Sequence, residues 1–264
     1  MLSKRLIASI FVKDGIVVKS HGYKFWRPAG HLATALINLD RWAVDEIIVV
    51  DISRRGKIDN ETLKEIRKAK ISTPLVYGGG IRSLNDVHAL LNAGCDRVVL
   101  ETLLFGNDAT LQEVCNTVGK QALIASLPLA VRDGIICGRF TSNDHILRED
   151  DSLSQPLDKL WSHYRGLPVS EILITDTDNE GNYGCFSSAI SNAVLARCTD
   201  PEDKDLLWFG GLGVNLPDKL LIHPKTVGVV YGNTNFEHEL QMRKIRKWLR
   251  HSTMANTFRN TGFL

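Results

Sequence analysis

Short apolar runs bounded by turn residues recur along the chain, at Leu6–Val12, Ile47–Asp51, Leu75–Tyr77, Arg97–Leu100, Ala122–Leu127, Ile172–Thr175, Leu206–Phe209 and Val227–Tyr231. They are rich in Val, Ile and Leu, and none alternates cleanly between apolar and polar positions. That is the pattern of parallel strands buried on both faces. Stretches with apolar residues at helical spacing follow most of them. Asn60–Lys70 places Leu63 and Ile66 on one face, with Asn60 as the expected N-cap. Ser83–Ala93 opens with Ser83 and Asp86 at capping-box spacing and closes at Gly94. Ala109–Val118, Ser187–Ala196 and Glu239–Arg250 are the remaining predicted helices.

Eight strands with intervening helices predict a single (β/α)8 barrel, which 264 residues suit well. The structural rival is an open doubly wound sheet. That fold carries a Gly-rich dinucleotide turn after its first strand, where this chain has only Lys13-Asp14-Gly15. Gly138–Trp161 is polar and long, and reads as a loop insertion after the fifth strand; His251–Leu264 reads as a C-terminal tail without clear period.

A net charge of +2 gives no basic face for nucleic acid. The basic stretch Gln241–Arg250 reads as the solvated side of an outer helix rather than a membrane-binding surface. No run reaches the ~18 apolar residues of a membrane span. Five cysteines without C-x-x-C spacing point to a reducing cytosol. The eight histidines show no ligand spacing, so no metal is expected, and no motif calls for a cofactor.

In such barrels chemistry sits at the C-terminal ends of the strands. Two glycine clusters stand there, Gly78-Gly79-Gly80 after the third strand and Gly210-Gly211 after the seventh. Thr102 flanks the first and Gly232-Asn233 the second. Glycines let backbone N–H groups approach a phosphate closely, although they also simply make tight turns. Two clusters four strands apart suit a small molecule with a phosphate at each end. They also suggest a duplicated half-barrel, divided near residue 120.

The segments Met1–Leu6, Val12–Gly15, Val50-Asp51-Ile52, Gly78–Ser83, Gly94–Val98, Glu171–Thr175, Asp178–Gly181 and Gly210-Gly211 resemble, in order, the cyclase subunit of imidazole glycerol phosphate synthase. The resemblance implies that Gly79, Gly80, Thr102, Gly181, Gly210, Gly211, Gly232 and Asn233 bind the two substrate phosphates. It also implies a glutaminase partner whose ammonia crosses the barrel from bottom to top. Asp51, Asp178 and Lys19 are the candidate catalytic residues that remain. The two positions where the family places acid–base aspartates hold Phe11 and Pro128, neither of which transfers a proton. Glu101 stands where the family usually has asparagine, and its charge would oppose a phosphate.

The residues opening strands one, two, four and six, Arg5, Glu46, Arg97 and Glu171, alternate in sign. By the resemblance they ring the ammonia entry, and Asp96 lies at the partner interface. An entrance kept beside lost proton-transfer groups resembles a paralogous group associated with amidation in surface-polysaccharide synthesis. Val18–Gly30 is similar to the first loop of that group. Its members are thought to work with a glutaminase-like protein and a separate amidotransferase. Two functions therefore stand open: an ammonia-passing barrel for amidation of a sugar, or a cyclase of histidine biosynthesis using other acids.

Overall fold

The computed structural model describes residues 4–53, 56–106, 108–140, 155–213 and 216–236. In chain order the strands are β1 (Arg5–Lys13), β2 (Ile16–His21), β3 (Phe25–Gly30), β4 (Glu46–Asp51), β5 (Leu75–Gly78) and β6 (Arg97–Leu100). They continue with β7 (Leu123–Arg132), β8 (Ile135–Gly138), β9 (Glu171–Asp176), β10 (Asp205–Phe209) and β11 (Thr226–Tyr231). The helices are α1 (Leu32–Arg41), α2 (Asn60–Ala69), α3 (Leu84–Ala93), α4 (Asp108–Val118), α5 (Leu157–Gly166), α6 (Ser188–Arg197) and α7 (Asp218–Ile222). Strands β1, β4, β5, β6, β7, β9, β10 and β11 pair in parallel in that order, and β11 returns to β1 with Arg5 opposite Gly228. The sheet closes on itself as a (β/α)8 barrel.

Closure explains the unbroken apolar runs. Alternate residues of each strand point inward or outward, and both directions are dry. Ile7, Ile48, Val76, Val99, Ile124, Leu173 and Leu207 fill the barrel, while a second layer packs between the strands and the surrounding helices. Among the described residues no helix is long and apolar enough to cross a membrane.

The two halves repeat one another beyond their strand count. β1 turns back into β2 through Asp14-Gly15 (φ 51° and 79°), and β7 into β8 through Asp133-Gly134 (φ 49° and 76°). Consecutive positive-φ residues make the two-residue hairpin turn that matches strand twist. At the next rim position, a Cβ on Gly79 (φ 104°) would run into the Asp51 carbonyl, and one on Gly210 (φ 99°) into that of Asp176. Only glycine fits either place.

Several predicted boundaries need correction. Asp59, not Asn60, is the N-cap of α2, and Asn60 is its first helical residue. The segment 138–161 is not loop throughout. Gly138 ends β8, and Leu157–Trp161 belongs to α5, whose Leu157, Leu160, Trp161 and Tyr164 are buried. Residues 141–154 lie outside the described residues, as do the predicted helix Glu239–Arg250 and the tail 251–264. The Ser83–Asp86 capping box and the αL glycine at Gly94 are present as the sequence predicts.

Candidate functional site

The C-terminal rim holds two cavities. The larger, of about 170 Å³, reaches from Gly79, Gly80, Thr102 and Lys57 at the rim down to Ser9, Ile48, Val99 and Leu173 inside the barrel. The smaller, of about 30 Å³, is lined by Gly181, Gly211, Gly232, Asn233 and Thr234. Phe209 and Val230 line both, so they stand between them.

An aromatic cluster completes that partition. Phe11, 1% exposed, packs edge-on to Tyr23 at 5.5 Å and against Phe209 at 5.8 Å between ring centroids. Tyr23 belongs to the turn between β2 and β3, which folds over the mouth and is tied down by Glu180. The Glu180 carboxylate accepts from the Ser20 hydroxyl at 2.9 Å and the Tyr23 N–H at 3.1 Å, and its carbonyl accepts from the Gly22 N–H at 2.9 Å. Asn233 adds a second tie, accepting from the Ser20 N–H at 3.2 Å and donating to the Ser20 carbonyl.

The expected site residues divide accordingly. Gly79, Gly80, Thr102 and Asp51 share the large cavity, and Gly181, Gly211, Gly232 and Asn233 share the small one. Gly210 lines neither, because it is packed on the β9 end. Lys19 and Asp178 also line neither. Lys19 lies on β2 opposite Arg27 of β3. Asp178 is held by Arg132 at 2.9 and 3.0 Å and by Arg139 at 3.2 Å. Burial pushes its pKa up, but the Arg132 hydrogen bonds and both guanidiniums outweigh this and hold it below the usual value. Asp51 accepts from the Ser53 N–H at 2.8 Å and the Tyr77 hydroxyl at 3.1 Å.

Pro128 faces the large cavity on β7. Its carbonyl accepts from the Arg139 N–H on the hairpin side, beyond Leu100↔Ala125, the last pair between β6 and β7. A proline there interrupts no barrel ladder.

At the opposite end, four strand-opening charges form a closed ring. Arg5 reaches Glu46 and Glu171, each at 2.7 Å, and Arg97 reaches the same two carboxylates at 3.3 and 3.0 Å. Burial drives the Glu46 pKa up, although Arg5 and Arg97 pull it back. Asp96 is exposed beside this ring and accepts from the Leu75 N–H at 2.8 Å.

Sequence reasoning missed Glu180 as the tie of the mouth, although it lies inside the Asp178–Gly181 motif. It is 1% exposed, and burial raises its pKa against the hydrogen bonds from Tyr23 and Ser20. A carboxyl with a raised folded pKa contributes stability that is full below its unfolded pKa, about 4.3, and is lost as pH rises through the folded value. Urea unfolding of wild type and Glu180→Gln at pH 4 and pH 7 is expected to show the wild type losing ground to the variant at the higher pH. An equal difference at both would mean that the carboxyl is not the titrating group.

Fold and rim together define a (β/α)8 barrel whose halves carry matching glycine loops. A family model described as histidine biosynthesis protein matches residues 5–202, and the chain belongs to that family. Similar proteins include the "Putative imidazole glycerol phosphate synthase subunit hisF2" of Campylobacter jejuni, 30% identical over 69% of this chain and 70% of its own. The imidazole glycerol phosphate synthase subunit HisF of Exiguobacterium sp. is 32% identical over 81% and 80%. That of Parabacteroides distasonis is 29% identical over 81% and 82%.

Proposed function

We propose that this barrel docks a glutaminase at the charged ring and passes ammonia to an amidation carried out with a separate amidotransferase, the acceptor being a sugar of surface-polysaccharide synthesis. The observation that carries this reading is Phe11 sealed among aromatic rings, where the resemblance, which puts Phe11 and Pro128 at the family's acid–base positions, would call for an aspartate. Above the ring of Arg5, Glu46, Arg97 and Glu171 the interior is apolar at Ile7, Ile124 and Leu207. Neutral ammonia crosses such a layer far more readily than ammonium, whose charge would be desolvated. The two glycine loops support retention of a phosphorylated ligand at the mouth.

The second reading is a cyclase of histidine biosynthesis, favoured by the names of the Exiguobacterium and Parabacteroides relatives and by the Asp51 carboxylate in the large cavity.

Docking is tested by calorimetric titration with the glutaminase-like proteins of the same genome. One of them is expected to bind, and Asp96→Lys to weaken it at least tenfold through charge reversal at the contact. Binding to none, or unchanged binding by Asp96→Lys, would remove this face as the docking surface.

A further inference from the structure

We infer that the mouth of this barrel selects a compact, polyhydroxylated ligand with a single phosphate, held entirely in the larger cavity. An extended molecule with a phosphate at each end is refused by the Phe11–Tyr23–Phe209 wall. The inference deepens the proposed reading of the mouth as a phosphorylated-ligand site and rests on it.

Size is the first argument. A ligand touching both glycine loops must pass between the two cavities, where Phe209 and Val230 stand with Phe11 and Tyr23 packed behind them. Phe11 lies on a barrel strand paired to both β2 and β4, so it does not swing away when a loop opens. Asn233, which lines the smaller cavity, already spends its side chain on both backbone groups of Ser20.

Chemistry is the second. The rim of the larger cavity carries Gly79, Gly80, Thr102 and the cations Lys24, Lys57 and Arg139, which offset the opposing Glu101 charge beside Thr102 and leave a setting for one anionic group. The same cavity is lined by Glu101 and Asp51 together with Ser9, Ser126 and Thr175, the Ser126 hydroxyl donating to Glu101 at 2.9 Å. Ser9, which lines the floor of this space, is 1% exposed, and its buried hydroxyl has no hydrogen-bond partner. Carboxylates accept from sugar hydroxyls and repel a second phosphate. The arrangement therefore reads one anion at the rim and several hydroxyl donors below it.

The test is calorimetric titration of the full chain with three probes: inorganic phosphate, ribose 5-phosphate, and the family's cyclase substrate, which has a phosphate at each end. Ribose 5-phosphate is expected to bind at least tenfold more tightly than inorganic phosphate and no more weakly than the two-phosphate compound. Glu101→Gln should weaken ribose 5-phosphate about tenfold and leave inorganic phosphate equal or tighter. Tyr23→Ala, on the turn over the mouth, and Phe11→Ala should each raise affinity for the two-phosphate compound at least tenfold; circular dichroism establishes that each variant is folded. The inference is overturned if the wild type binds the two-phosphate compound more tightly than ribose 5-phosphate. It is equally overturned if inorganic phosphate matches the sugar phosphate. Tight two-phosphate binding without turnover would sink this inference and leave the amidation reading intact, whereas imidazole formation would sink that reading.

Discussion

Given the family's cyclase substrate and excess ammonium, the purified protein is expected to form imidazole product at less than about one ten-thousandth of the rate of a family member with both aspartates. Cyclisation needs a proton donor and a proton acceptor on opposite sides of the substrate, and each such group commonly contributes 10²–10⁴-fold. Phe11 offers no proton and is closed off at 1% exposure by Tyr23 and Phe209. Pro128 reaches the cavity with a saturated ring. The remaining acids do not replace them. Asp178 points its carboxylate at Arg132 and Arg139, which keep it ionised and out of both cavities. Asp51, which accepts from Ser53 and Tyr77, and Glu101 both line the large cavity, but they stand at the ends of β4 and β6, the two neighbours of β5, so together they do not flank a substrate from opposite sides. Chromatographic detection of the imidazole product decides the matter; a rate within about tenfold of an ordinary member would mean that other groups move the protons.

Removing one member of the ring at the other end should cost the most stability. Arg5→Ala is expected to lower the unfolding free energy by about 3–5 kcal/mol, the range for stripping one partner from a buried ion pair. Arg5 and Glu46 are 12% and 3% exposed, so water does not replace the lost guanidinium. Arg97 would then face Glu46 and Glu171 alone. With less positive charge beside it, burial would push the Glu46 carboxyl further above its unfolded pKa. Its protonation then relieves the variant as pH falls, so the penalty should be smaller at pH 5 than at pH 8. Urea unfolding at both pH values measures it. A loss under about 1 kcal/mol would mark these as ordinary surface ion pairs.

The ring was legible in the sequence because strand openings are legible. Arg5, Glu46, Arg97 and Glu171 each open a barrel strand, at or just before the start of its apolar run, and closure of the barrel brings the four strand openings together. Ser83–Gly94 could be read for a related reason: its cap, face and stop all lie within one helix. The hairpins could not. β3 is exposed at every residue and β2 mixes buried and exposed positions, so neither shows the apolar run that marked the barrel strands. The mouth was hidden by distance along the chain. Glu180 acquires its meaning from Ser20, 160 residues away, and Phe11 from Tyr23 and from Phe209, far along the chain. The resemblance marked Asp178–Gly181 as part of the ligand mouth and gave no sign that its glutamate would be spent holding the β2–β3 turn. Gly210 reads as a ligand contact, and nothing in the sequence signals that the Asp176 backbone alone already demands a glycine there.

The most direct test of a barrel that conducts ammonia without cyclising is a coupled assay. The protein is mixed with the glutaminase-like partner it binds, glutamine and the cyclase substrate, and glutamate and imidazole product are counted in the same reaction. Glutamate released with less than about one imidazole per thousand is the expected result. One imidazole for each glutamate would contradict the account and make this chain a working cyclase.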